Sequence, residues 1–134
     1  MTRNLLFSVI VGALLCGTAS SVSAHHSLGA TYDGSKTVTL EGTILQVLLR
    51  NPHSFLHIQA PDKSGKMQRW ALEWRGVGSL DQQGITRDTF KTGEAVTITM
   101  NPSRTANDFK GVLVSLHRKS DGFGWGDNPG ETVD

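Results

Sequence analysis

Apolar side chains fall on every second position through three stretches of this chain. Residues 54–60 carry Leu56, Ile58 and Ala60 in one phase, residues 67–75 carry Trp70, Leu72 and Trp74, and residues 95–100 carry Val96, Ile98 and Met100. A period of two sends alternate side chains to opposite faces of a strand and conflicts with the 3.6-residue period of a helix. The chain is therefore read as mainly β, with one face of each strand turned to a core. Two further segments fit the same reading. Residues 37–49 form a long first strand, with Val38, Leu40 and Ile44 in one phase and Leu45, Val47 and Leu49 in the other. A phase switch inside one strand predicts a bulge or sharp bend, and Gly42 would help it curl. Residues 109–117 form a fifth strand, with Val112, Val114 and Leu116 expected inward.

The punctuation between these segments sets the element order. Asn51-Pro52 ends the first strand, and Pro61-Asp62-Lys63-Ser64-Gly65 is a turn between the second and third. Residues 76–90 differ in character. A short helix is predicted over residues 79–83, stopped by Gly84, followed by a turn over 86–90. Five strands with a short helical connection between strands 3 and 4 match a small five-stranded OB-like barrel, with a generic β-sandwich as the alternative.

The N-terminus decides how much chain is left to fold. Residues 5–16 are a run of about 12 apolar positions after a single positive charge at Arg3, and residues 17–24 are small and polar, ending at Ala24. This is the three-part pattern of a cleavable signal peptide. The run is short of the roughly 20 residues that span a bilayer, which weighs against an uncleaved anchor. Leu14 and Leu15 are larger than a lipid-attachment site at Cys16 would accept. The expected organisation is a signal peptide at 1–24, a His-containing segment at 25–36, the barrel at 37–118 and a flexible, Gly- and Asp-rich tail at 119–134. The mature protein would be periplasmic or secreted, with no permanent membrane anchor.

Removing the leader also removes Cys16, the only cysteine, so the mature domain holds no disulfide. The full chain has 13 basic and 12 acidic residues, and Arg3 is the one charge in the leader. The mature part is thus balanced, which argues against a nucleic-acid binder with its basic stripe.

Several short motifs occur together. They are His25-His26-Ser27 after the leader, Leu40-x-Gly42, Asn51-Pro52-His53 and Trp70-x-Leu72-Glu73, followed by Gly84 with Arg87 and Gly93-x-x-Val96. In this order the chain resembles a family of small exported bacterial proteins classed as a domain of unknown function. The match runs from about His25 to Leu116. The resemblance implies an exported β-barrel and carries no activity and no established site residue.

The five histidines, at 25, 26, 53, 57 and 117, are the first candidates for chemistry. Cleavage after Ala24 would make His25 the terminal residue. Its α-amine and ring Nδ1 then form a bidentate nitrogen chelate suited to Cu(II), as in the histidine-brace copper proteins that this terminus alone resembles. The plainer reading is a loose polar terminus. His53, Phe55 and His57 share one face of strand two. His53 and His57 lie about 13 Å apart at ~3.3 Å per residue, too far to share one metal without bending. Pairing inward Leu56 with inward Leu72 sets Phe55 opposite Glu73, His57 opposite Ala71 and His53 opposite Arg75. Glu73 then lies diagonal to both histidines. Arg69 and Arg75 share that face, where a surface ion pair with Glu73 is worth about 0–1 kcal/mol. The candidate ligand-binding set is His53, Phe55, His57, Arg69 and Glu73, and the candidate metal set is His25, His26, His57 and Glu73. His117 is expected as an exposed cap of strand five.

No G-x-S-x-G or H-E-x-x-H motif occurs. Ser54 adjoins His53, but neighbours in a strand point to opposite faces. The leading expectation is a non-enzymatic periplasmic binding module for a small molecule, peptide or metal ion. The alternative is a copper or zinc protein using His25 with another imidazole. A third class is an envelope assembly protein that docks through Phe123 and Trp125.

Overall fold

The computed structural model describes residues 27–126. The expected signal peptide at 1–24, together with His25 and His26, lies outside the described residues, as does the chain after Gly126. The elements run α1 (Leu28–Thr31), β1 (Val38–Leu48), β2 (Ser54–Pro61), β3 (Met67–Trp74), α2 (Val77–Gln82), β4 (Ala95–Pro102), β5 (Lys110–Arg118) and β6 (Gly124–Trp125). No helix among the described residues is long and apolar enough to cross a membrane.

The strand order is β3-β2-β1-β4-β5-β6, and a further pairing of β3 with β5 closes the first five strands into a barrel. That closing pair is parallel, while the other ladders are antiparallel. Closure excludes the β-sandwich alternative. The only helix between β3 and β4 is α2, and Gly84 follows it at φ 78°, a left-handed stop that glycine takes without strain. This is the OB-like arrangement that the element order predicts.

The core is built from the alternating residues. Leu56, Ile58 and Ala60 of β2, Leu72 and Trp74 of β3 and Val96, Ile98 and Met100 of β4 are buried with Ile44, Leu113 and Leu116. Leu80 of α2, with Ile85 and Phe90 after it, joins the same cluster. Trp70 is half-buried at its margin, where Nε1 donates to the Ala60 carbonyl at 3.2 Å and the ring meets Phe109 edge-on.

The predicted phase switch in β1 is a bulge. Ile44 pairs with Ile58 and Gln46 with His57, so Leu45 is the extra residue and both Ile44 and Val47 turn inward. Gly42 lies where β1 passes from its β4 ladder to its β2 ladder. A Cβ there would stand 2.5 Å from the Gln59 carbonyl oxygen, so the need for glycine is a close backbone approach as well as curl.

Two expectations are corrected. In β5 the inward residues are Leu113 and Leu116, while Val114 is 36% exposed and Val112 is half-buried. A register shift, with Thr99 opposite Ser115 and Met100 opposite Leu113, leaves Val114 without a partner on β4. The alternation read from residue 112 therefore breaks at 114. The chain from Lys119 to Gly126 is not a loose tail. Gly124 and Trp125 pair with His117 and Leu116. Trp125 is only 8% exposed and meets Trp74 edge-on at 5.2 Å. Its Nε1 donates to the side-chain oxygen of Gln83. An apolar ring with a satisfied N–H holds this segment down where composition alone predicts mobility.

Candidate functional site

The turn that presents His53 is fixed by its neighbours. Ser54 is fully buried, and its hydroxyl bridges the backbone N–H and C=O of Arg50 at 3.2 and 3.3 Å. Its own N–H donates to the Arg75 carbonyl at 3.1 Å, and Val77 N–H donates to the Arg50 carbonyl at 3.0 Å. Ser54 therefore points away from His53, as strand alternation requires, and serves the backbone rather than chemistry.

Strands β2 and β3 pair in the expected register. Leu56 faces Leu72, Phe55 faces Glu73 and His57 faces Ala71. His53 Nδ1 is hydrogen-bonded to Glu73 Oε1. A carboxylate only accepts, so Nδ1 donates and Nε2 is left as the ring's other nitrogen. His53 retains 43% side-chain exposure and Glu73 only 15%. The second carboxylate oxygen is also taken, since Tyr32 Oη donates to Oε2 at 3.0 Å.

Tyr32 was not legible as a site residue. It is 7% exposed, and burial, then the adjoining Glu73 carboxylate, keeps its phenol protonated well above the ordinary value. The segment bearing it is pinned to the barrel at several points. Tyr32 bridges to Ser103, Asp33 N–H donates to the Pro102 carbonyl at 2.9 Å, and Arg104 donates to the carbonyls of Thr31 and Gly29. Asp33 in turn accepts from Ser35 Oγ at 2.6 Å.

His57 does not reach Glu73. Its Nδ1 accepts from Arg69 Nη2, which also approaches Gln46 Oε1 at 3.4 Å. Partial burial, then the Arg69 and Arg50 cations, hold the His57 imidazole below its ordinary pKa. Phe55 carries the Arg50 guanidinium over its ring at 4.8 Å, a cation–π contact. Arg50 is thus a second residue of this face that strand phase did not single out. It lies beyond β1 and reaches the face only through the turn.

The two histidines therefore have opposite roles. One donates to a carboxylate and the other accepts from a guanidinium. The candidate ligand set shares one face but divides into His53–Glu73 and His57–Arg69. His117 is half-buried inside β5, between Thr97 of β4 and Gly124 of β6, rather than capping the strand. Among the described residues no three His, Cys, Asp or Glu side chains converge as a metal site. His25 and His26 lie outside the described residues, so the metal set is represented there by His57 and Glu73 alone.

Neither curated proteins nor solved structures give a match to this chain. A family profile does match, over residues 13–112, ending at the closing pair of β3 and β5. On that match, the chain belongs to the family of unknown function DUF6152.

Proposed function

We propose that this protein is an exported, non-enzymatic binding module whose ligand sits on the outer face of β2 and β3. The observation that carries the reading is the convergence there of His53, Phe55, His57 and Glu73, all half-buried, with the two histidines fixed in opposite hydrogen-bonding roles. The outer face of strands two and three is also where OB-folds commonly take ligands, which is support by analogy of fold.

Native mass spectrometry of protein purified from its own envelope tests this. The wild type should carry a bound mass that a His53→Ala/His57→Ala variant and a Glu73→Ala variant lose while keeping their circular dichroism. A bare wild-type chain, or a mass retained by both variants, would sink the reading.

A second reading, a copper or zinc protein, has one observation in its favour. Tyr32 ties the N-terminal segment to Glu73, beside His53. Tyr32 stands seven positions after His25, so the chain between them spans at most about 25 Å. The secreted form should then begin at His25 and bind copper at least about tenfold more tightly than a form carrying one extra N-terminal glycine. Another terminus, or equal affinity, removes the chelate.

A further inference from the structure

We infer that the outer face of β2 and β3 takes an oxyanion, a sulfate or phosphate group, bridged between Arg50 and Arg69 above Phe55 and His57. This rests on the reading of that face as a binding surface and names its ligand class.

The charge on the face is unbalanced in a specific way. Arg69 contacts only neutral acceptors, His57 Nδ1 and Gln46 Oε1. The Arg50 guanidinium lies over the Phe55 ring, while its backbone bonds to Ser54 and Val77. Neither guanidinium has a carboxylate partner among the described residues, although elsewhere Arg118 pairs with both Asp121 and Glu94, and Arg104 approaches Asp33. The nearest acidic group on the face is Glu73, and both its oxygens are engaged by His53 and Tyr32. A guanidinium offers a planar fork of donors matched to oxyanions, and here two such forks stand exposed.

Spacing fits one bridging group. Phe55 and His57 are alternate residues of one strand, about 6.6 Å apart, and each holds one of the two cations. A tetrahedral oxyanion between them accepts from both forks. The ring below excludes water from one side, which strengthens the pairing.

His57 makes the site sensitive to pH. The charged groups around it are Arg69 and Glu73 on β3 and Arg50 beyond β1, while its β1 neighbour Gln46 is uncharged. Partial burial, then these two cations, hold its imidazole below the ordinary pKa. An anion that offsets them favours the charged ring, so binding should tighten as pH falls and the His57 pKa should rise in the complex.

Sulfate is the probe, because it stays a dianion while imidazoles titrate. It is added to the full mature chain against sodium chloride of equal ionic strength, and nitrogen and ring-proton NMR is read at Arg50, Arg69, Phe55 and His57. Saturable shifts at these residues, with the His57 titration moved upward, are expected. Arg50→Gln and Arg69→Gln should each weaken binding at least about tenfold, and the lysine variants should recover part of it. Phenyl phosphate separates the sources. Tighter binding than sulfate assigns an organic monoester, and equal binding assigns the free ion. Absence of saturation, or affinity unchanged in both glutamine variants, overturns the inference. If sulfate fails while the envelope-derived mass is still lost from the His53/His57 alanine variant, the ligand class falls and the binding face stands. If that mass is retained as well, both fall.

Discussion

Replacing Trp125 with alanine should cost the fold about 3–5 kcal/mol, the usual range for a buried aromatic. For a domain of this size that lowers the melting temperature by more than about 10 °C. Three contacts disappear together. The ring leaves its edge-on packing against Trp74, its share of the core empties, and Gln83 loses the indole N–H. Thermal and urea unfolding, followed by far-ultraviolet circular dichroism, measure the change. Phe123→Ala is the contrast. Phe123 is two residues away and 42% exposed, resting on Phe90 and Arg118 from outside, so its loss should be clearly smaller. A Trp125→Ala midpoint within experimental error of wild type would mean that the segment after Lys119 contributes nothing to the core.

Gly42→Val should be comparably damaging, by about 3 kcal/mol. The added Cβ meets the Gln59 carbonyl oxygen at 2.5 Å and the Ala60 Cβ at 3.0 Å. Both obstacles belong to β2, where backbone cannot yield without breaking the ladder to β1. The strand is at that point exchanging one partner for the other, with Gly42 opposite Val96 and Thr43 opposite both Ala95 and Gln59. Gly34→Ala is the matched control, because a Cβ there meets nothing within 4 Å. Equal urea midpoints for Gly42→Val and Gly34→Ala would refute the close-approach argument.

The sequence was informative where burial follows a local period. Strands β2, β3 and β4 alternate cleanly, and matching Leu56 to Leu72 was enough to set the register that places Phe55 opposite Glu73. Residues that depend on closure were out of its reach. The shift at Thr99 and Met100 arises from how β4 and β5 fit together, and nothing near Val114 announces it. Tyr32 is the only tyrosine, but its neighbours carry no period, and its partner Glu73 lies 41 residues away. The pairing of Glu73 with His53 was within the expected reach, whereas that of His57 with Arg69 required the actual side-chain directions. Trp125 was concealed by the glycines around it, which read as mobility although Gly126 sits at φ 77° hard against the Val114 carbonyl.

The two residues of β6 have a further effect. Strand β3 covers β5 only from Lys110 to Val112. Past that point the outer side of β5 would be a bare row of amide and carbonyl groups, the kind of rim on which neighbouring molecules zip together into aggregates. Gly124 and Trp125 occupy the rim at Leu116 and His117, so the same short return that fills the core also keeps one copy of the protein from serving as a template for the next.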